Sequence, residues 1–190
     1  GWLRLLLVCS ENGAAFKFKR GMELNTARMF EGYAGVIVSG ASSGLGEAIV
    51  KKIYDFRRDL PILSISRSQP RLHDPVLSLK HVFCDLSNVA RTSNCFSEIK
   101  AFLKELDGDG KLLLINNSGI GAYGHFPEDD MEKIGGMIDL NVRGTVHLTA
   151  LLLPFVKNRG GGIVNLCSLA AFQPTPFLSV YGASKAFLLH

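Results

Sequence analysis

Short apolar runs alternate with longer amphipathic segments along most of the chain, from Gly35 onward. The apolar runs predict strands at residues 36–38, 62–65, 81–84, 112–115 and 163–167. Apolar residues at helical spacing predict helices over 45–56, 93–106 and 131–156, the last as one long helix or two shorter ones, and a further helix from Tyr181 onward. Because strands alternate with helices, the pattern predicts βαβ units around a mostly parallel sheet.

Residues 1–33 lack this periodicity. We expect them to form an N-terminal extension, either non-native or disordered, ahead of a single domain at 34–190. The apolar run at 3–9 contains Arg4 and is far shorter than the roughly 20 residues that a membrane span needs, so we expect no span. A signal peptide at 2–9 is the weaker interpretation, because no basic leader precedes it.

Composition and charge narrow the classes of function. A chain of 190 residues suits one domain, and a net charge of +4 is mild. The basic cluster at 17–20 is typical of a solvated tail rather than a nucleic-acid site. The four cysteines lack CxxC spacing, which favours a reducing, cytoplasmic compartment. The five histidines form no HxxxH or HxH pair, so we predict no metal site.

A glycine-rich loop at Gly40, Gly44 and Gly46 follows the first predicted strand and opens the first helix. Glycine permits a positive φ angle and a close approach of the backbone to a pyrophosphate, and a helix N-terminus offers N–H groups to that anion. The spacing is GxxxGxG rather than the commoner GxGxxG. A plain structural turn is the alternative, and the position directly after the first regular strand favours nucleotide binding.

Ser66 and Arg67 end the second strand, where a doubly wound sheet faces the adenosine ribose. A carboxylate at this position would repel a 2′-phosphate, and this chain has none there. The Arg67 guanidinium can instead pair with that phosphate, so the sequence favours NADP over NAD. An ordinary surface arginine is the alternative.

Asp85 follows the third strand, and residues 116–119 follow the fourth. The Asp85 carboxylate suits either a hydrogen bond from an adenine amino group or the N-cap of the next helix, and both interpretations stay open. These segments all lie at carboxyl ends of parallel strands, where open α/β sheets bind ligands.

Tyr181 and Lys185 are four residues apart, which places both side chains on one helix face. A tyrosine has an ordinary pKa near 10, and a neighbouring ammonium lowers it by favouring the phenolate. Such a tyrosine can give a proton to a carbonyl oxygen or take one from an alcohol. Ser168, at the end of the fifth strand, can hold the same oxygen by a hydrogen bond.

Taken together, these motifs resemble the short-chain dehydrogenase/reductase family in its ordinary short form. The resemblance covers residues 35–190 and rests on four motifs in order: 39–46, 85–86, 116–119, and Ser168 with 181–185. It implies an α/β fold with a doubly wound, Rossmann-like parallel sheet in three α/β/α layers. It also implies NADP(H) as cofactor and a small-molecule carbonyl or alcohol as substrate, in a homodimer or homotetramer that binds no nucleic acid.

The resemblance assigns a role to each motif residue. Tyr181 would be the general acid/base, Lys185 would bind the nicotinamide ribose, Ser168 would orient the substrate oxygen, and Asn141 would hold a water in a proton relay. The implied cofactor-binding residues are Gly40, Ser42, Ser43, Gly44, Leu45, Gly46, Ser66, Arg67, Asp85, Leu86, Asn117, Ser118, Gly119, Tyr181 and Lys185.

Family members continue beyond the Tyr181 helix with further strands and a substrate lid. We therefore expect a C-terminally truncated chain that lacks the last strands and leaves the strand at 163–167 as an unprotected edge. The leading hypothesis is an NADP-dependent oxidoreductase. The alternatives are a non-catalytic NADP-binding module or inactive truncated product, and a sugar-nucleotide epimerase, which the GxxxGxG spacing disfavours.

Overall fold

A computed structural model describes residues 5–9, 30–72, 77–106, 108–125 and 130–190. The strands are β1 (Leu5–Cys9), β2 (Tyr33–Ser39), β3 (Ile62–Ser66), β4 (Leu79–Phe83), β5 (Lys111–Asn116) and β6 (Gly162–Ser168). The helices are α1 (Gly44–Phe56), α2 (Val89–Glu105), α3 (Met131–Ile138), α4 (Thr145–Asn158) and α5 (Ser179–Leu189). A π-helix (Asp139–Gly144) joins α3 to α4, and a short 3₁₀ turn (Leu169–Ala171) follows β6.

The strands form one parallel sheet in the order β1-β6-β5-β2-β3-β4. Alternate residues of β2 point to opposite faces, so that Ile37 joins one core cluster while Val36 and Val38 join the other. The first cluster includes buried residues of α2 and α4, and the second includes Val50 and Ile53 of α1. The fold is therefore the predicted doubly wound α/β fold with helices on both faces of a parallel sheet.

The five strands predicted from residue 36 onward are confirmed, with ends that differ by one or two residues, or by three at Tyr33. Helix α2 begins at Val89, four residues before its predicted start, because the Asn88 side chain caps it by accepting from the Arg91 N–H at 3.1 Å. The predicted helix over 131–156 is a continuous helical segment whose middle is the π-helix. No helix in the described part of the chain is long and apolar enough to cross a membrane.

The structure differs from the sequence-based expectation at the edge of β6. Leu5–Cys9 lie within the segment expected to be an extension, yet they form β1 and pair in parallel with β6, from Leu5 opposite Val164 to Cys9 opposite Ser168. The expected unprotected edge at 163–167 is therefore wrong. An unbroken apolar run is typical of a parallel strand. The rest of the expected extension lies outside the described residues, apart from a turn at 30–32 and Tyr33, which is the first residue of β2.

His81 of β4 links the stability of the opposite sheet edge to pH. Its Nδ1 lies 3.3 Å from Ser64 Oγ, and its Nε2 is buried without a hydrogen-bond partner among the described residues. Burial lowers the pKa of His81 below its ordinary value of 6.5, while the Ser64 hydrogen bond and the Glu98 charge act in the raising direction.

We expect the free energy of unfolding to fall as the pH drops through 6.5, because the unfolded chain then binds a proton that the folded chain excludes. Above that pH the His81 side chain is neutral in both the folded and the unfolded chain, so it does not make the free energy of unfolding depend on pH. His81→Gln should flatten the dependence measured by urea unfolding between about pH 5.5 and 7.5. His147→Gln, which removes a histidine bonded to Ser93, is the control. An unchanged slope in His81→Gln would contradict the assignment.

Candidate functional site

A cleft of about 610 Å³ opens at the carboxyl ends of β2 to β6, which is within the usual size of ligand sites. Its wall carries three charged side chains, Arg67, Asp85 and Lys185. The cleft lies above the neighbouring central strands β2 and β5. After β2 the chain continues to β3 on one side of the sheet, and after β5 it continues to β6 on the other side. Open α/β sheets bind ligands at this type of position.

Most of the residues that the sequence singled out meet in this cleft. Those that line it are Gly40, Ser42, Ser43, Gly44, Leu45, Ser66, Arg67, Asp85, Leu86, Asn117, Ser118, Gly119, Tyr181 and Lys185. Gly46, Asn141 and Ser168 are buried next to it rather than on its surface. Side chains that are far apart in the sequence thus converge on one cavity.

The glycine-rich loop needs its glycines for different reasons. Gly40 and Gly44 have φ angles of 70° and 58°, in the left-handed region that suits glycine. At Gly46 a Cβ atom would lie 2.1 Å from the Gly40 carbonyl oxygen and 2.5 Å from Asn117 Nδ2. Gly46 therefore permits the first turn of α1 to pack directly on the loop, with the helix N-terminus facing the cleft.

Gly46→Ala is expected to lower both stability and NADPH affinity, because the new methyl group meets backbone that cannot move aside independently. The cost of such overpacking is about 1–3 kcal/mol in the free energy of unfolding. The matched control is Gly136→Ala in α3, where a Cβ meets nothing within 4 Å. That change should stabilise the fold by up to about 1 kcal/mol. Thermal unfolding and NADPH titration of both variants give the comparison, and equal behaviour would contradict it.

Two polar side chains, Ser39 and Asn117, hold the loop against β5. Ser39 is 2% exposed, and its Oγ accepts from the N–H groups of Asn117 and Ser118, both at 3.0 Å. Asn117 Nδ2 donates in return to the carbonyl oxygens of Ser39 and Gly40, both at 3.0 Å. These bonds fix the ends of β2 and β5 relative to each other and thereby fix the cleft floor.

The far end of the cleft brings Arg67 and Asp85 together from β3 and β4. The hydrogen bond from Ser87 holds the pKa of Asp85 below its ordinary value, although burial acts to raise it. The positive charges of Arg67 and Arg91 also lower this pKa. Asp85 Oδ1 accepts from Ser87 N and Oγ at 3.1 and 2.7 Å. Since Asn88 is the N-cap of α2, the interpretation of Asp85 as that cap is wrong.

The opposite end of the cleft holds Tyr181 and Lys185 on one face of α5. Lys185 is 5% exposed, and its Nζ donates to the Leu166 carbonyl oxygen at 3.0 Å and lies 6.0 Å from the centre of the Tyr181 ring. Ser168 is 4% exposed, and its Oγ accepts from Ala170 N at 3.2 Å. A serine hydroxyl that accepts one bond keeps its hydrogen for another partner.

Small residues allow this end of the site to assemble. A Cβ at Gly182 would lie 2.9 Å from the Ala170 carbonyl oxygen, so glycine lets α5 approach the turn that follows Ser168. A Cβ at Gly119 would lie 3.1 Å from Lys185 Nζ and 3.2 Å from Asn141 Oδ1. Gly119 therefore leaves the lysine head group room to face the cleft.

Asn141 lies in the π-helix and is completely buried. Its Oδ1 accepts from Ile120 N at 2.9 Å, and its Nδ2 donates to Ile120 O at 2.9 Å and to Ser184 Oγ at 3.0 Å. Both amide hydrogens are thus used to tie the segment after β5 to α5. Single π turns often occur at functional sites. The spacing of apolar residues predicted an ordinary helix here and did not reveal the π-helix.

Several cleft-lining residues were not predicted: Ser68, Cys84, Ile120, Gly121, Leu140, Leu166 and Cys167. All except Leu140 lie within a strand's last residues or in the loop that follows it. The same rule that selected Asp85 and Arg67, the carboxyl end of a parallel strand, could have found them. Leu140 belongs to the π-helix, which no sequence pattern marked.

The chain is similar in sequence to known oxidoreductases. Residues 34–190 match the family described as short chain dehydrogenase. An uncharacterized oxidoreductase of Staphylococcus epidermidis is 34% identical over 153 residues, or 79% of this chain and 64% of that protein. A ketoacyl reductase of Nostoc is 32% identical over 162 residues, covering 81% of this chain and 54% of its own length. The chain thus spans about half to two thirds of these relatives.

Solved structures show the same fold with either nicotinamide cofactor. A short chain dehydrogenase/reductase of Burkholderia phymatum in complex with NAD has a TM-score of 0.71 and 27% identity, covering 85% of this chain and 58% of that one. A short-chain dehydrogenase of Sphingobium yanoikuyae in complex with NADPH has a TM-score of 0.66 and 29% identity. This match covers 82% of the present chain and 61% of the Sphingobium chain.

Proposed function

This chain belongs to the short-chain dehydrogenase/reductase family, and we propose that it transfers a hydride between NADP(H) and a carbonyl or alcohol substrate with Tyr181 as general acid/base. The family is one of nicotinamide-dependent oxidoreductases. The observation that carries the proposal is the meeting of Tyr181 and Lys185 with the glycine-rich loop in one cleft. The name of the Nostoc relative, a ketoacyl reductase, describes chemistry at a carbonyl group.

The residues of the cleft fit a dinucleotide. The open space above Gly44, where a Cβ would meet nothing within 4 Å, and the N-terminus of α1 suit a pyrophosphate. Asp85 and Leu86 would hold the adenine, and Asn117, Ser118 and Gly119 would line the adenosine. When bound, NADPH supplies a hydride to the carbonyl carbon and leaves as NADP⁺.

The proton comes from the chain itself. In the reducing direction Tyr181 donates its hydroxyl proton to the carbonyl oxygen, and in the oxidising direction its phenolate accepts the alcohol proton. The Lys185 ammonium, 6.0 Å from the ring centre, stabilises that phenolate. Ser168 donates its hydroxyl hydrogen to the substrate oxygen and fixes its direction. Asn141 acts as a positioning residue, because its amide hydrogens hold the segment after β5 and α5 in place.

The preference for NADP over NAD rests on Arg67. Its exposed guanidinium directly follows β3 on the cleft wall. Neither Ser66, the last residue of β3, nor Arg67 brings a carboxylate to this position. A guanidinium can bind a 2′-phosphate through paired hydrogen bonds. Ser66, whose Oγ donates to the Ser68 carbonyl oxygen at 2.8 Å, holds the loop that carries Arg67.

A cytoplasmic enzyme that works as a homodimer or homotetramer completes the proposal. Exposed apolar side chains on α4 and α5, at Val146, Leu153 and Phe187, would be covered in such an assembly. Light scattering of the purified protein tests this part separately, and a strictly monomeric, active enzyme would reject it.

The test of function is a titration with NADPH followed by turnover on a panel of ketones. Binding together with NADPH oxidation that depends on a ketone supports the proposal. Binding without turnover supports the alternative of a non-catalytic NADP-binding module. Tight binding of a UDP-sugar in place of a ketone would support the epimerase alternative, and failure to bind either nicotinamide cofactor would reject all of these functions.

A further inference from the structure

The connection before α5 contains an unusual backbone conformation next to the candidate active site. Phe177 has a φ angle of 64°, and it is the only residue other than glycine with a positive φ among those described. A bulky side chain is disfavoured in this left-handed region, because its Cβ crowds the following carbonyl oxygen. Strained positions of this kind persist where surrounding contacts fix them, and they concentrate at ligand-binding sites.

Contacts from the segment after β5 hold Phe177 in this conformation. The Gly124 N–H donates to the Phe177 carbonyl oxygen at 3.1 Å. The Phe177 ring contacts two aromatic rings, that of Tyr123 with centroids 5.1 Å apart and that of His125 with centroids 4.4 Å apart. We call Tyr123, His125 and Phe177 the aromatic cluster.

Both segments that carry the aromatic cluster also reach Tyr181. Gly121 lines the cleft, and a Cβ placed on it would be 3.5 Å from the Tyr181 ring. Tyr123 follows two residues later, so their Cα atoms are at most about 7 Å apart. Phe177 approaches from the other segment, four residues before Tyr181 in the sequence.

All three residues of the aromatic cluster are exposed to solvent. Tyr123 is 73% exposed and Phe177 is 38% exposed, although their rings touch each other. Residues 118–125 and 168–180 contain no Asp, Glu, Lys or Arg. Apart from the imidazole of His125, these two segments therefore offer no side-chain cation to a phosphate or carboxylate. A flat ring, in contrast, can stack on their exposed aromatic faces.

We propose that the aromatic cluster is the wall that selects the substrate, and that the substrate is a neutral ketone, or the matching secondary alcohol, with a flat aromatic or polycyclic ring beside the carbonyl carbon. This inference rests on the proposed function. The substrate ring stacks on Tyr123 and Phe177 while its carbonyl oxygen reaches Tyr181. The carbonyl π bond breaks as a hydride adds to carbon and the Tyr181 proton adds to oxygen. The Tyr181 phenolate then regains a proton from solvent, so that ketone, NADPH and one proton become alcohol and NADP⁺.

The test uses two ketones of the same carbon skeleton, 2-acetylnaphthalene and its fully saturated decalin analogue. The ratio of their kcat/KM values, compared between native protein and variants, cancels the difference in their intrinsic reactivity. Tyr123→Leu should lower this ratio by about twofold to tenfold, the range expected for one aromatic pair. Tyr123→Phe keeps the ring and should retain the native ratio.

Two further variants separate ring recognition from folding. Phe177→Gly removes the ring and relieves the strained φ angle, so it should lower the ratio without lowering the melting temperature. Phe83→Leu is the matched control, because Phe83 is a 64% exposed phenylalanine on the distant edge strand β4. An unchanged ratio in Tyr123→Leu and Phe177→Gly, or an equal loss in Phe83→Leu, would overturn the inference.

Failure of the inference differs from failure of the proposed function. If both ketones are reduced and no variant changes their ratio, the function stands and the selecting wall is rejected. If neither ketone is reduced, the proposed function fails for these substrates, and saturation-transfer NMR with 2-acetylnaphthalene then decides on binding. Saturation transfer that Tyr123→Leu abolishes would still support the aromatic cluster as the binding surface, and transfer that persists unchanged would reject it.

Discussion

Replacement of Tyr181 by phenylalanine is expected to lower kcat for ketone reduction by about 10²- to 10⁴-fold, the usual contribution of a positioned general acid. The aromatic ring remains, so only the proton donor is lost. NADPH affinity should change little, because the glycine-rich loop and the Arg67 end of the cleft are untouched. Steady-state kinetics and fluorescence titration with NADPH measure the two quantities.

The control for this prediction is Tyr33→Phe at the start of β2, at the end of the sheet away from the cleft. It removes the same hydroxyl group and should leave kcat unchanged. A Tyr181→Phe enzyme with native kcat would exclude Tyr181 as the acid. A variant that loses NADPH binding as well would indicate that the Tyr181 hydroxyl group holds the cofactor or the fold rather than supplying the proton alone.

Replacement of Arg67 by aspartate is expected to reverse the cofactor preference. The substitution removes a charged partner of the 2′-phosphate, worth roughly 10- to 100-fold in affinity, and adds a carboxylate that repels that phosphate and can accept a hydrogen bond from a ribose 2′-hydroxyl. The ratio of NADH to NADPH dissociation constants should therefore fall by about 10²-fold or more. Isothermal calorimetry with each cofactor gives the ratio.

Arg91→Asp provides the comparison for a change of charge alone. Arg91 lowers the pKa of Asp85 together with Arg67, but it does not line the cleft. Its replacement should shift the cofactor ratio far less than Arg67→Asp does. Equal shifts would indicate that the field of the protein, rather than a direct contact at Arg67, sets the preference.

The sequence predicted the parts of the fold and site that depend on local patterns. The apolar runs located the strands from residue 36 onward, and polar residues just after those runs marked Arg67, Asp85 and Asn117. This worked because the carboxyl ends of parallel strands converge whatever lies between them. The i, i+4 spacing of Tyr181 and Lys185 likewise follows from helix geometry alone.

The remaining features depend on contacts between distant segments. Ser39 bonds to the N–H of Asn117, 78 residues away, and a local pattern carries no information on such a pair. The π-helix at Asn141 is stabilised by bonds to Ile120 and Ser184, so helical periodicity could not reveal it. The positive φ angle of Phe177 is held by the Gly124 hydrogen bond, whereas local preference would place a phenylalanine elsewhere.

We propose that this chain moves a hydride between a nicotinamide cofactor and a carbonyl carbon, with Tyr181 supplying the proton. The most direct test uses NADPH deuterated on both faces of the nicotinamide C4, with a ketone, the native protein and Tyr181→Phe. We expect an alcohol with one deuterium on the carbinol carbon, formed by the native protein and almost absent with Tyr181→Phe. An alcohol without deuterium, or equal formation of labelled alcohol by both proteins, would contradict this proposal.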